Sequence, residues 1–153
     1  MIDWQIVPFE QLTLNQLYDV MKLRQDIFVV EQNCPYHDLD NLDQQCEHLM
    51  AFEDDQLIAY TRLIPKGIVH QDYSAIGRVI ISQKARGRKL GYELMERSIA
   101  ALRAQYPTVA IKIGAQQHLE NYYAKVGFRT ISDMYLEDDI PHIDMLLDDQ
   151  PAE

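Results

Sequence analysis

The chain has 153 residues, of which 47% are hydrophobic and 25% charged, and these proportions are ordinary for a globular protein with a core of its own. We therefore expect a single domain that covers residues 1–153. The formal net charge of −10 at pH 7 argues against general affinity for DNA or RNA, because nucleic-acid binding depends on Lys and Arg side chains that neutralise phosphates.

Hydrophobic periodicity in the first half of the chain predicts a strand, a helix and then a hairpin. An edge strand over residues 2–9 precedes a helix over residues 14–30, with Thr13 as its N-cap. Residues 31–47 contain Asn33, Pro35 and several aspartates, which favour a structured loop. The hairpin joins strands over residues 48–52 and 57–64.

The second half of the chain predicts alternating strands and helices. A strand over residues 74–81 leads through a basic turn into a helix that ends near residue 105, before Pro107. An apolar strand over residues 108–113, a helix over residues 117–126 and a closing hairpin over residues 128–136 and 142–147 follow. This order predicts a mixed α/β sheet with helices on both faces.

The two ends of the chain carry no targeting pattern. The first residues have neither the basic start nor the apolar core of a signal peptide, and no apolar run is long enough to span a bilayer. We expect a cytoplasmic protein without a membrane partner. The polar tail over residues 148–153 is expected to be disordered.

The turn after the strand at residues 74–81 has the features of a pyrophosphate site. Gly87 and Gly91 let the backbone approach a ligand closely, and the unpaired N–H groups of the following helical turn point at a bound anion. Arg86, Arg88 and Lys89 add positive charge. Neither the dinucleotide fingerprint nor the P-loop pattern occurs. The alternative is a basic first turn on an ordinary surface helix.

The pattern R-x-x-K-x-G, which begins at Arg86, resembles the coenzyme A loop of the GNAT superfamily of N-acetyltransferases, roughly Q/R-x-x-G-x-G/A. Lys89 departs from it, since that family usually has glycine there. Residues 123–128 are similar to the Y-x-K-x-G-F segment that closes the last helix of these enzymes. Residues 23–36 and 137–143 resemble the ElaA-like branch of the superfamily. The resemblance then covers nearly the whole chain.

The resemblance implies a GNAT fold, in which a mixed, mostly antiparallel sheet has helices on both faces and two splayed central strands that admit the pantetheine arm. It implies acetyl-CoA as co-substrate and no metal. Backbone groups at the end of the strand would orient the pantetheine amide and polarise the acetyl carbonyl, while the side chains there pack in the core. The expected cofactor-binding residues are Val79, Ile80, Ile81, Arg86, Gly87, Arg88, Lys89, Leu90, Gly91 and Asn121.

Acetyl transfer to an amine needs a neutral nucleophile, a stabiliser for the oxyanion and a proton for the leaving thiolate. Tyr123 matches the family's tyrosine, and a phenol of pKa about 10 can protonate a thiolate whose thiol has a pKa of about 8.5. Tyr122 competes for this role, because adjacent helical residues point about 100° apart and only one can face the thioester. Alternatively, both tyrosines only pack.

The acceptor is expected to be an amine-bearing small molecule or peptide. Glu31, Tyr36 and His142 are the candidate acceptor-binding residues. Glu31 is also the preferred candidate base, with His118, His142 or a water chain as alternatives. Several aspartates would form a rim for a cationic amine if their two loops meet: Asp38, Asp40, Asp43, Asp138 and Asp139. A homodimer is possible, since the superfamily commonly dimerises.

Two other readings stay open at this point. A degenerate GNAT fold, of which Lys89 would be a mark, would bind acyl-CoA or a protein partner without turnover. A zinc-stabilised module would use the residue types that zinc prefers, which are Cys34, His37, Cys46 and His48. We expect no metal, because the second C-x-H spacing is unusual and cysteines without a secretion signal are usually free thiols.

Overall fold

The computed structural model describes residues 1–148, whose strands form one eight-stranded sheet. The strands are β1 Asp3–Pro8, β2 Glu47–Glu53, β3 Gln56–Ile64, β4 Ser74–Ile81, β5 Ile111–Gln116, β6 Arg129–Thr130, β7 Tyr135–Glu137 and β8 Ile140–Leu147. Their order is β1-β2-β3-β4-β5-β8-β6, and β7 also pairs with β8. Within residues 1–148 only β4 and β5 pair in parallel, which confirms the predicted mixed, mostly antiparallel sheet.

Three α-helices accompany the sheet: α1 Leu14–Arg24, α2 Leu90–Gln105 and α3 Glu120–Val126. The Thr13 hydroxyl accepts the backbone N–H of Gln16 at 3.0 Å, and the Gln16 side chain accepts the backbone N–H of Thr13, so Thr13 is the N-cap that the sequence predicts. The first helix differs from the prediction, because its final turns over Gln25–Glu31 are π-helical. None of the helices within residues 1–148 could cross a membrane, because they are too short or too polar.

The helices cover both faces of the sheet, as predicted. On one face α2 and α3 pack over a large core that includes Leu94, Ile76 and Ile113. On the other face Val20 of α1 packs over Tyr60 and other buried residues.

The central strands splay apart. β4 and β5 pair at Ser74–Ile111 and Ala75–Lys112, and beyond that point residues 76–81 and 113–116 line a cleft between them. The strand predicted over residues 108–113 runs later in the chain, over Ile111–Gln116, because a turn that closes with the Val109 N–H on the Tyr106 carbonyl occupies its start.

The closing hairpin has a shorter turn than predicted, and its first strand is divided in two. Asp138 and Asp139 both have positive φ (49° and 61°), which is the geometry of a two-residue hairpin turn, so β8 begins at Ile140. The predicted strand over residues 128–136 is divided into β6 and β7. Of the tail predicted to be disordered, Asp148 forms an ion pair with Arg129 at 2.9 Å, and residues 149–153 lie outside the described residues.

Candidate active site

A cleft of about 1140 Å³ opens where β4 and β5 diverge. The cleft is lined by the loop before α2, by the two tyrosines of α3, by residues between 32 and 42 and by the β7–β8 hairpin. Strand ends and loops that meet at a break in a sheet are common places for ligand sites in α/β proteins. Of the predicted acceptor residues Tyr36 and His142 line this cleft, and of the predicted cofactor loop Arg86, Gly87 and Lys89–Gly91 line it. The predicted site residues Glu31, Arg88 and Asn121 are not among its lining residues.

The predicted cofactor loop turns sharply into α2. Gly87 has φ of 80° and Lys89 has φ of 59°, and α2 begins at Leu90. Lys89 therefore occupies a left-handed conformation that favours glycine and costs other residues about 1–2 kcal/mol. The first N–H groups of α2 have no partner within the helix and are available to an anion.

The arginines of this loop are held by carboxylates from other elements. Arg86 donates to both carboxylate oxygens of Glu31, at 2.6 and 3.0 Å, and Arg88 donates to those of Glu53, at 2.7 and 2.8 Å. The Arg86 guanidinium holds the pKa of Glu31 below its usual value. Glu31 is thereby engaged on the cofactor side of the cleft, and a carboxylate with a lowered pKa is a weaker base.

The two candidate tyrosines differ in their surroundings. Tyr123 is 6% exposed, packs edge-to-face against Phe128 and lines the cleft. Tyr122 is half-buried, and its hydroxyl lies so close to Gly91 that a Cβ at that position would collide with it. Burial raises the pKa of both phenols, more strongly at Tyr123, so both stay protonated at neutral pH.

The acceptor end of the cleft has a polar wall. The side chains of Ile111, Ile113 and Ala115 enter the core, so the alternate residues of β5 face the other way. The wall consists of Lys112, Gly114, Gln116, Tyr135, His142 and Asp144.

Hydrogen bonds link most of this wall. The Tyr135 hydroxyl donates to Asp144 at 2.6 Å, and Lys112 lies 3.5 Å from the same carboxylate. His142 stacks on Tyr135, with Nδ1 at 2.8 Å from the Ile140 carbonyl and Nε2 at 3.4 Å from Glu137. Both ring nitrogens of His142 thus face oxygen atoms of the protein.

A model of the acetyltransferase (GNAT) domain matches residues 23–148. Protein ElaA of Escherichia coli strain K12 is 40% identical over 147 residues, which are 95% of each chain. The chain belongs to the GNAT acetyltransferase family. The crystal structure of Escherichia coli ElaA has a TM-score of 0.90 at 38% identity, and that of an acyl-CoA N-acyltransferase from Pseudomonas aeruginosa has 0.91 at 44% identity. Each match covers 95% of this chain and 99% of the other.

The family assignment confirms the resemblance carried by the loop at Arg86, by residues 123–128 and by the two ElaA-like segments. GNAT enzymes use an acyl-CoA co-substrate and transfer its acyl group to amine-bearing acceptors. The loop fits such a co-substrate, because the first turn of α2 has N–H groups without partners in the helix and Gly87, with positive φ, has no atom within 4 Å of where a Cβ would lie. The residues assigned to individual roles remain predictions.

This GNAT domain also contains a buried cluster of three arginines and three aspartates that the sequence analysis missed. Arg24, which has no exposed surface, donates to Asp38 at 2.8 Å and to Asp43 at 2.6 Å. Arg62 donates to Asp43 at 3.1 Å and to both carboxylate oxygens of Asp40, at 2.8 and 2.9 Å.

Arg78 completes this cluster by donating to Asp38 at 2.7 Å. The missed signal is the presence of arginine inside apolar runs, as at Arg62 and Arg78, because a buried charge requires a partner. The two loops do meet, since the Cys34 thiol lies 3.7 Å from the Asp138 carbonyl. The aspartates over residues 38–43, however, face arginines, and this leaves little of the expected rim for a cationic amine.

Among the four candidate zinc ligands, His48 and Cys46 have side-chain hydrogen bonds to other groups of the protein. His48 Nδ1 lies 2.5 Å from the Tyr60 hydroxyl and its Nε2 lies 3.0 Å from the Asp43 carbonyl. The Cys46 thiol donates to the Leu42 carbonyl at 3.2 Å, and burial raises its pKa to about 11. Within residues 1–148 no three His, Cys, Asp or Glu side chains are grouped as metal ligands.

Proposed function

We propose that this GNAT domain transfers the acetyl group of acetyl-CoA to a primary amine of a small molecule or peptide, by direct attack of the amine on the thioester. The observation that carries the proposal is the single cleft that joins the cofactor loop to a polar wall on the opposite side of the splayed strands. Acetyl-CoA supplies an activated acyl group, and the chain positions it against the amine.

The residues have complementary roles in this proposal. The first turn of α2, with Arg86 and Arg88, binds the pyrophosphate, and the arginines then exchange their carboxylate partners for phosphate oxygens. The unpaired edge of β4 at residues 79–81 binds the pantetheine amide and polarises the acyl carbonyl. On the acceptor side, Tyr36, His142 and Glu137 orient the amine.

Tyr123 acts in the last step of this proposal, in which the thiolate leaves. Its hydroxyl is carried on α3 at the edge of the cleft, and burial keeps the phenol protonated. As the C–S bond breaks, Tyr123 donates its proton to the thiolate, whose negative charge would otherwise develop in a partly apolar site. Water in the open acceptor end accepts the proton of the amine.

The first test is calorimetric titration with acetyl-CoA and desulfo-CoA. We expect micromolar-range binding to the wild type and a loss of at least tenfold in the variant that carries Arg86→Glu and Arg88→Glu, because two cationic contacts become repulsive. A variant with Arg97→Glu and Arg103→Glu is the matched control. It changes the net charge by the same amount, but at two α2 residues that do not line the cleft. A wild type that binds neither ligand contradicts the proposal.

The second stage measures free CoA released in the presence of a panel of amines. We expect Tyr123→Phe to lower kcat by about 10²–10⁴ with unchanged acetyl-CoA affinity, because general acid catalysis contributes about that factor. Tyr122→Phe should retain most of the rate. Binding without amine-dependent release would favour the catalytically silent acyl-CoA binder, for which the left-handed Lys89 in the loop is the supporting observation.

A further inference from the structure

We propose that Arg78 is a positioning residue that, through its ion pair with Asp38, fixes a bulge in β4 and so aims the backbone of Val79 at the acyl carbonyl. This inference rests on the proposed acyl transfer. It assigns a function to the buried arginine–aspartate cluster, which lies beside the cleft and takes no direct part in the chemistry described above.

The bulge is visible in the pairing of β3 with β4. Tyr60 pairs with Ile80 and Arg62 pairs with Gly77, so Arg78 and Val79 together lie opposite one residue of β3. Arg78 has φ of 53°, in the left-handed region that residues other than glycine rarely adopt.

After the bulge, the side chains of β4 face the opposite side of the sheet from the one that regular alternation would give. In a regular strand, residues four apart face the same side of the sheet. Ile76 instead packs in the core under α2 and α3, whereas Ile80 packs in the core under α1. The extra residue also shifts which backbone groups face β3 and which face the cleft, and it does so next to the splayed edge.

Asp38 holds the side chain of Arg78 in place with two contacts. Arg78 Nε donates to the Asp38 carboxylate at 2.7 Å, and its Nη2 donates to the Asp38 carbonyl at 3.0 Å. Asp38 is itself anchored by Arg24 Nε at 2.8 Å and by the Tyr36 hydroxyl at 2.8 Å. Because Arg24 is fully buried on α1, the anchor is rigid and can hold an unfavourable backbone conformation.

The consequence for catalysis is geometric. A backbone donor stabilises the developing oxyanion only when it points at the position that the oxygen will occupy. If residue 78 relaxes to negative φ, the peptide group of Val79 rotates away from that position. The acyl-CoA would still bind through the loop and α2, but its carbonyl would be less polarised.

The experiment uses acetyl-CoA labelled with ¹³C at the carbonyl and isotope-edited infrared spectroscopy of the bound thioester. We expect the carbonyl stretch to move to lower frequency on binding to the wild type. Most of this shift should be lost in Arg78→Ala, while calorimetric affinity for acetyl-CoA changes by less than about threefold. With an amine that the wild type accepts, kcat should fall at least tenfold, since loss of one oxyanion donor costs about 10²–10³.

Three further variants distinguish loss of the Arg78–Asp38 ion pair from loss of the positive φ at residue 78. Arg78→Gly loses the ion pair but tolerates positive φ, so it should keep more of the shift than Arg78→Ala. Asp38→Asn should reproduce part of the loss, and Arg97→Ala on the outer side of α2 should match the wild type. If Arg78→Ala does not fold, Arg78→Gly and Asp38→Asn are compared directly with the wild type.

The outcomes distinguish the two proposals. A wild type that does not bind acetyl-CoA overturns the proposed function, and this inference with it. A wild type that binds and shifts the carbonyl band, with the same shift in the folded variants at residues 78 and 38, overturns the positioning role alone.

Discussion

At the scale of single residues, the Glu31 carboxylate is bound by the predicted cofactor loop. The sequence predicts it as an acceptor-site residue and candidate base, but both of its oxygens accept hydrogen bonds from Arg86. Its counterpart Glu53 does the same with Arg88. In the proposed binding mode the pyrophosphate uses the same donors, so acyl-CoA would compete with these carboxylates.

This competition predicts that Glu31→Gln and Glu53→Gln tighten the binding of desulfo-CoA. Exposed ion pairs are weak, so each variant should lower Kd by no more than about fivefold in calorimetric titration, and the gain should shrink at high salt. Glu93→Gln, which breaks the Arg97 pair elsewhere on α2, is the control. Unchanged affinity together with a large loss of kcat in Glu31→Gln would instead support its role as the base.

The residue scale also shows where sequence reasoning stops. Arg86, Tyr123 and Gly91 could be singled out from the sequence because each belongs to a short motif of neighbouring residues. The partners of the buried arginines are far away in sequence, as in the pair of Arg78 with Asp38, which lies 40 residues earlier. No spacing rule connects such positions, so the sequence gives only the unexplained charge within an apolar strand.

At the scale of elements, Gly91 joins α2 to α3. The Tyr122 hydroxyl rests against the position that a Cβ of Gly91 would occupy, and its ring lies 5.1 Å from that of Tyr92. The first turn of α2 and the tyrosines of α3 are therefore set relative to each other by this contact. Packing against Tyr122 is thus sufficient to require a small residue at position 91.

This contact predicts an energetic coupling between residues 91 and 122. Gly91→Ala gains up to about 1 kcal/mol of helix propensity but displaces the Tyr122 hydroxyl, whereas in a Tyr122→Phe background the obstructing oxygen is absent. We expect Gly91→Ala to be at least about 1 kcal/mol more favourable in that background, as measured by urea unfolding in a double-mutant cycle. Additive free energies of unfolding would show that the two helices adjust independently.

Most elements could be predicted from sequence because their signals are local. Thr13 and Gln16 form a local capping box, and the hydrophobic alternation of β3 and β4 is visible in the chain. The π-helical turns after Arg24, the bulge at Arg78 and the start of β5 were not predicted. The first two involve partners outside their own segments, the aspartates that hold Arg24 and Arg78. β5 starts late because the turn at residues 106–109 occupies the start of the predicted strand.

At the scale of the whole molecule, the arginine–aspartate cluster ties α1, the loop over residues 34–43, β3 and β4 into one unit. Arg24 comes from α1, Arg62 from β3 and Arg78 from β4, and all three bind aspartates of the same loop. Arg24, Arg62, Asp38 and Asp43 are buried, Arg78 and Asp40 are partly exposed, and the charges balance, so removal of one partner leaves a charge without its counter-ion in a largely desolvated place. The pKa values of Asp40 and Asp43 are lowered by the arginines, which outweigh the effect of burial, so stability should depend on the ionisation of these two carboxyls.

The pH dependence follows from Asp40. Burial alone would raise the pKa of its carboxyl, but the hydrogen bonds and charge of Arg62, together with the Leu42 N–H and Arg78, outweigh burial and lower the pKa to about 2. In the unfolded chain the pKa is about 3.9. Because the folded pKa is the lower one, the contribution of Asp40 to stability is complete above about pH 5 and is lost as the pH falls from about 4 towards 2.

We therefore expect the urea midpoint of the wild type to fall steeply between pH 5 and pH 2.5, and to fall less steeply in Asp40→Asn, which is already destabilised at pH 7. The exposed Asp72→Asn is the matched control and should follow the wild type at every pH. The neutral amide of Asn does not titrate in this pH range, so the part of the pH dependence of the urea midpoint that comes from the charge of Asp40 should be absent in this variant. A slope in Asp40→Asn equal to that of the wild type would show that other carboxylates govern acid unfolding, and that Asp40 contributes through hydrogen bonds alone.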